Sequence, residues 1–332
     1  MQTTLKRKRL SILYVAVPVL TLIATLIVVT AAARPDTHVI QVPADYPTIQ
    51  AAVNAANEGD AIMVSVSDLG AYQENVVITT SNLRLHATTG VVLDGAAVHG
   101  VGINVHGTSS NPVAGVEVSG FEIRNFTEGM LALNATGVQL HHNDVHDNEV
   151  ALGKLPGLGL GVGIELRMAV DSEVSENLVH HNGGDGIELR IGSTGNTIKA
   201  NHVYENGTQE TPNPDAAGIL VTGAGTNDNR LEENELLGNN GRGIFVGRPA
   251  GTAPITGTLV LQNRAHDNQR SGIAIMSAAT QNYVFQNDAR DNNLSGLPPC
   301  VHCNLVDISI GGNVWERNLG TFNLTDSACL IP

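Results

Sequence analysis

Two copies of one five-residue segment carry the densest chemistry in this chain. Gly163-Ile164-Glu165-Leu166-Arg167 recurs 23 residues later as Gly186-Ile187-Glu188-Leu189-Arg190. Both alternate apolar and polar residues, the period of a half-buried strand. If the copies stack as neighbouring strands, Glu165 meets Glu188 and Arg167 meets Arg190, a two-by-two patch of charge on an outward face. Paired carboxylates divide into acid and base when their surroundings push their pKa values apart. An arginine can neutralise a uronate carboxylate while a neighbouring base removes the adjacent proton. The plain alternative is a surface ladder of ion pairs, each contributing under about 1 kcal/mol.

Insertions frame the patch. Long segments follow two coils at the same turn, Glu149 to Val162 and Gly207 to Ala217, and between them the chain turns tightly through Gly183-Gly184-Asp185. Two raised loops around a low rung predict a lateral cleft with Asp185 in its floor. Asp185, Glu188, Arg190, Glu165 and Arg167 are thus the candidate catalytic residues. Lys154, Asp215 and His181 are candidate substrate-binding residues.

The elements that must position these side chains come from a repeat. Asn, four residues, Asn recurs as Asn143/Asn148, Asn177/Asn182, Asn201/Asn206, Asn234/Asn239, Asn263/Asn268, Asn287/Asn292 and Asn313/Asn318. The first Asn returns after 34, 24, 33, 29, 24 and 26 residues, a period that means a solenoid. The segments between are too short for helices, so each coil gives short parallel strands, with Ile187, Ile219, Ile244 and Ile273 in one core column. Asn suits left-handed turns, and its amide can bond the Asn one coil away. Aromatic residues make up 3% of the chain, which suits a narrow core of Val, Ile, Leu and Ala.

At the N-terminus, Lys6 to Arg9 are basic and Leu10 to Ala33 are apolar, which reads as a signal peptide or a membrane anchor. Then Pro47 to Asn57 reads as a short amphipathic helix with Ile49, Ala52, Val53 and Ala56 on its apolar face, followed by a strand from Ala61 to Val66. A solenoid needs its first coil covered, and this helix is the natural cap.

The segment Tyr46-Pro47-Thr48-Ile49-Gln50-Ala51-Ala52-Val53, the Gly59-Asp60 strand and Glu74-Asn75-Val76-Val77-Ile78 resemble the N-terminus of right-handed parallel β-helix proteins of the pectin-lyase-like superfamily. The resemblance covers about Val39 to Asn318. It implies an all-β fold: a right-handed parallel β-helix solenoid with a short N-terminal capping helix. The superfamily includes polysaccharide lyases, glycoside hydrolases, uronan epimerases, pectin esterases and non-catalytic surface proteins. The Asn-rich coils also resemble those of the periplasmic copper-maturation protein of nitrous oxide reductase. The Asp-Asp and Gly-His-Gly motifs of polygalacturonases and the Asp-Pro-His-Asp motif of alginate epimerases are absent from this sequence.

A second cluster gathers His141, His142, Asp144, His146, Asp147, His180, His181, His202 and Glu205. His146, His180 and Tyr204 fall in one column of the turns, and Asp147, His181 and Glu205 in the next. These residue types could hold a metal, but no tight His-x-His spacing marks them and a solvated polar turn is the default. Cys300, Cys303 and Cys329 lie near the C-terminus, where one disulfide or a zinc site is the choice.

The net charge is −14, and without the four basic residues of the leader it is −18. Such a surface excludes a basic track for nucleic acid. It suits solubility outside the cell, or a groove that holds Ca²⁺.

The expected organisation is a leader at 1–33, cap and first strands at 34–66, coils at 67–318 and a tail at 319–332. The expected function is an exported carbohydrate-active protein, a polysaccharide lyase or glycoside hydrolase, with a polysaccharide or glycan as partner. The chain is expected to be monomeric, to touch membrane only through its N-terminal segment, and to need no cofactor beyond Ca²⁺. The alternatives are a non-catalytic surface β-helix and a periplasmic metal-maturation factor.

Overall fold

A computed structural model describes residues 38–149, 161–208, 216–247, 254–276, 279–294, 304–309 and 311–323. They form a parallel β-helix of three sheets, of 11, 11 and 7 strands. From Glu117 to Ile275 each coil contributes one strand per sheet in a fixed order. In one coil, Gln139–His141 belongs to the first sheet, Asp144–His146 to the third, and Ile164–Val170 to the site sheet. The next coil repeats this with Glu173–Ser175, Leu178–His180 and Ile187–Arg190. Every strand pair is parallel and in strict register. Ile164, Ile187, Ile219, Ile244 and Ile273 are successive partners, all at 0% exposure. The expected core column is therefore present. A coil stripped of its neighbours would expose this column, so packing between coils holds the stack.

The asparagines form the ladders expected of them, through the inside of the turns. The Oδ1 of Asn201 accepts from both the backbone N and the Nδ2 of Asn177, each at 3.0 Å, and its own Nδ2 donates to Val174 O and Asn234 Oδ1. Each buried amide thus satisfies two coils at once. The left-handed geometry falls elsewhere than expected. It belongs to the residue before each ladder Asn: His142, Asp147, Glu176, His181, Ala200 and Glu205 have φ between 50° and 55°. That residue swings the chain so the following Asn side chain points inward.

The last pair is also out of the expected register. Asn318 joins the first column under Asn287, and Asn304 completes the second under Asn292. Asn313 belongs to a third ladder, with Asn282, which also holds Asn196 and Asn229 higher in the stack.

The cap helix runs Ile49–Ala55, shorter than expected, with Thr48 as N-cap. The Glu74 carboxylate accepts from the first two helical N–H groups, Ile49 and Gln50, at 2.8 Å each. Ile49, Ala52 and Val53 are buried. The following strand ends at Val64. Among the described residues no helix is long and apolar enough to cross a membrane. The apolar leader, Lys154, Asp215, most of the two framing loops and all three cysteines lie outside the described residues.

Candidate functional site

Glycine places the site strands close to the core. A Cβ at Gly186 would lie 2.5 Å from Val203 Cγ1 and 2.7 Å from Gly218 O. Gly129 and Gly163 make the same close approaches in the coils before it. From each of these glycines the strand starts out with its third and fifth residues facing outward. Register partners along the first outward column are Asn104, Leu131, Glu165, Glu188, Leu220 and Phe245. Along the second they are His106, Leu133, Arg167, Arg190 and Thr222.

Glu165 and Glu188 therefore stack as the sequence predicts, and so do Arg167 and Arg190. Their environment differs from an exposed ladder. Glu165 is 0% exposed and Glu188 2%. Leu131 precedes the two glutamates and Leu220 follows them, both buried, so the carboxylates form a polar island in an apolar strip. Burying carboxylates at this depth requires direct compensation. Arg167 supplies it to Glu165 through two parallel bonds, Nε to Oε1 at 2.5 Å and an Nη to Oε2 at 2.7 Å. That pairing holds the Arg167 guanidinium yet more firmly in its charged form. Arg190 reaches both glutamates, 3.6 Å from Glu165 and 3.7 Å from Glu188.

One residue joins this group that the repeated segment does not reveal. Glu128 opens the strand Glu128–Thr136, just before Gly129. Glu128 as a whole is half-buried, but its Oε1 is sealed from solvent and has no hydrogen-bond partner among the described residues. Burial first, then the charge of Glu165 and a hydrogen bond to it, push its pKa from the ordinary 4.5 to about 9, against the pull of Arg167. Glu128 is therefore held in its neutral form at pH 7, beside the carboxylate of Glu165. The signal that could have found it is register: Glu128 precedes Gly129 as Asp185 precedes Gly186, so the two acids fall in one column.

Asp185 has a structural bond that the sequence does not show. Its Oδ1 accepts from the backbone N of Ala217 at 2.7 Å, fixing the start of the next site strand, and the residue is 5% exposed. His181 is placed apart, on the corner after Leu178–His180 in the third sheet. There it meets His180 and Glu205. The expected columns of His146, His180 and Tyr204 stand as stacked rings, with centroids 4.8 and 4.6 Å apart. Among the described residues no three His, Cys, Asp or Glu side chains are arranged to hold a metal ion.

With this geometry in view, comparison with known proteins is decisive for the family. The description "right handed beta helix region" matches residues 69–260, more than half of the chain. The chain belongs to the right-handed β-helix family. No curated protein matches it. Several solved right-handed β-helices share its fold. ORF18 of Geobacillus virus E2 aligns with TM-score 0.56 at 10% identity, over 82% of this chain and 58% of that one, so this chain spans under two thirds of its length. XylC in complex with xylose aligns with TM-score 0.57 at 12% identity, over 81% and 66%. The DFA-IIIase of Arthrobacter chlorophenolicus A6 in complex with DFA-III aligns with TM-score 0.51 at 14% identity, over 87% and 86%. At such identities the likeness is one of fold.

Proposed function

We propose that this right-handed β-helix protein is an exported, carbohydrate-active enzyme that hydrolyses a glycosidic bond on the outer face of its site sheet. One feature carries the reading: the Glu128 carboxyl stands beside Glu165 with its pKa pushed up to about 9 by burial and by that neighbouring charge. A carboxylic acid and a carboxylate side by side are the two parts that glycoside hydrolysis uses. Glu128 donates its proton to the leaving glycosidic oxygen. A carboxylate, Glu165 or Glu188, takes a proton from the attacking water or attacks the anomeric carbon itself. The sugar complexes of XylC and the DFA-IIIase support the substrate class by analogy of fold. Hydrolysis is favoured over elimination because Arg167 and Arg190 are already turned to Glu165 and Glu188, away from the task of neutralising a uronate. The reading of Lys6 to Ala33 as a leader or anchor supports export.

The test is incubation of the purified full chain with neutral and acidic polysaccharides, with and without Ca²⁺. New reducing ends without absorbance of unsaturated uronates are expected. Glu128→Gln should then lower turnover at least about 100-fold, the usual contribution of a general acid, with the fold intact. Unsaturated products would replace hydrolysis with elimination. Turnover that survives Glu128→Gln would remove this site.

A second reading, a non-catalytic glycan- or protein-binding β-helix, is favoured by the depth of Glu165 and Glu188. No turnover on any substrate, with glycan retained on the protein, would select it.

A further inference from the structure

Away from the carboxylate site, two pairs of consecutive histidines are built in the same way. His141 Nδ1 lies 2.9 Å from His142 Nδ1, and His180 Nδ1 lies 2.7 Å from His181 Nδ1. The outer nitrogen of every ring faces a carboxylate. His141 Nε2 is 3.0 Å from Glu117, and His142 Nε2 is 2.7 Å from Glu176. His180 Nε2 is 3.0 Å from Asp144, and His181 Nε2 is 2.6 Å from Glu205.

Counting protons along such a chain leaves little choice. A carboxylate only accepts, so each Nε2 must carry a hydrogen. Neutral imidazole has one N–H, so two neutral rings spend both hydrogens on the carboxylates. Two bare Nδ1 lone pairs would then face each other at under 3 Å. One further proton turns that repulsion into a charge-assisted N–H···N bond. From this geometry we infer that each histidine pair holds a third proton between its Nδ1 atoms, and that the two carboxylate–His–His–carboxylate chains are proton-dependent clamps across the coils that carry Glu128, Glu165 and Glu188.

The connectivity gives the clamps their reach. Glu117, His141/His142 and Glu176 stand on three successive coils, whose site strands carry Glu128, Glu165 and Glu188 respectively. Asp144, His180/His181 and Glu205 span the latter two coils and the one after. Other titratable groups border them. His86 Nε2 lies 3.9 Å from Glu117. His146, itself paired with Asp147 and Glu122, stacks on one face of His180, and Tyr204 stacks on the other. None of these supplies a hydrogen to the Nδ1–Nδ1 gaps.

The sign follows from which state holds the proton. Free histidine titrates near about 6.5, so above that pH the unfolded chain has lost a proton that each folded clamp keeps. Well below that pH the unfolded pair carries four protons against the clamp's three, so the contribution peaks near about 6.5 and falls on either side. Away from that pH the folded-to-unfolded ratio falls up to about tenfold per pH unit for each clamp. The test is ¹⁵N-histidine NMR of the full chain at pH 7.5, with urea unfolding between pH 5 and 8.5. At pH 7.5, four protonated Nε2 atoms and one shared Nδ1 proton per pair are expected. His142→Gln combined with His181→Gln should remove up to two protons' worth of the fall of stability with pH above about pH 6.5. The difference between the two proteins separates the clamps from Glu128. Bare Nδ1 atoms at pH 7.5 in the folded wild type would overturn the proposal whether or not the variant folds, as would a slope unchanged by the substitutions. Zn²⁺ that shifts the Nδ1 signals, reversed by EDTA, would replace the shared proton with a metal and overturn it too.

Discussion

Glu128 keeps its proton because its carboxyl is buried and because ionising it would put a second charge beside Glu165. That has a consequence for stability as well as for catalysis. Its pKa is about 9 in the fold against an ordinary 4.5, so the folded state binds a proton that the unfolded state releases across that interval. Its contribution is complete below about pH 4.5 and is lost as pH rises towards 9. Glu128→Gln, which copies the neutral form, should flatten that loss. Urea unfolding at pH 5, 7 and 9 checks it, and a variant as pH-dependent as wild type would contradict the assignment. Arg167 poses the opposite case. Arg167→Leu leaves the carboxylate of Glu165 buried without its bidentate partner and should cost about 3 kcal/mol at neutral pH, read as a lower urea midpoint. A change of a few tenths would mean that Arg190 suffices alone.

At the scale of the strand and turn, position is set by close contacts that tolerate little. Gly186→Ala would drive a methyl group into Val203 and the Gly218 carbonyl, and should cost about 2 kcal/mol. The ladders are as exacting in hydrogen bonds. Asn201→Asp keeps the acceptor for Asn177 but loses both donors, to Val174 O and Asn234 Oδ1, and sets oxygen against oxygen in their place. A loss of about 3 kcal/mol is expected, since buried acceptors are left unsatisfied. A drop in Tm no larger than that of an exposed control such as Gln139→Glu would show the ladder to be dispensable. These turns also explain where sequence reading stops. The spacing of five recurs in threes, as in Asn196, Asn201 and Asn206 or Asn282, Asn287 and Asn292. A lone pair such as Asn313 and Asn318 then fits two registers, and only pairing with Asn282 and Asn287 selects one.

For the molecule as a whole, the open end of the stack is the weak point. The helix Ile49–Ala55 buries Ile49, Ala52 and Val53, and is tied down by Thr48 and Glu74. Ile49→Asp should lift it and bare the first coil, whose strands would then recruit other chains. Concentration-dependent association in light scattering is expected of the variant, and a protein that stays at its wild-type size would show the cap to be redundant.

The sequence by itself determined the β-helix, its core column of isoleucines, its ladders and the stacking of Glu165 on Glu188 and Arg167 on Arg190. All of these are one-dimensional facts, because a coil meets only its neighbours and the repeat period states which residue meets which. Tertiary structure alone decided that the glutamates are buried, that Glu128 joins them, that Asp185 holds the next strand and that His181 stands at a corner beside the third sheet. Burial and protonation depend on what lies across several coils and around a corner at once. An apolar strip that runs from Leu131 to Phe245 is spread over many turns of sequence, and no single segment of the chain contains it.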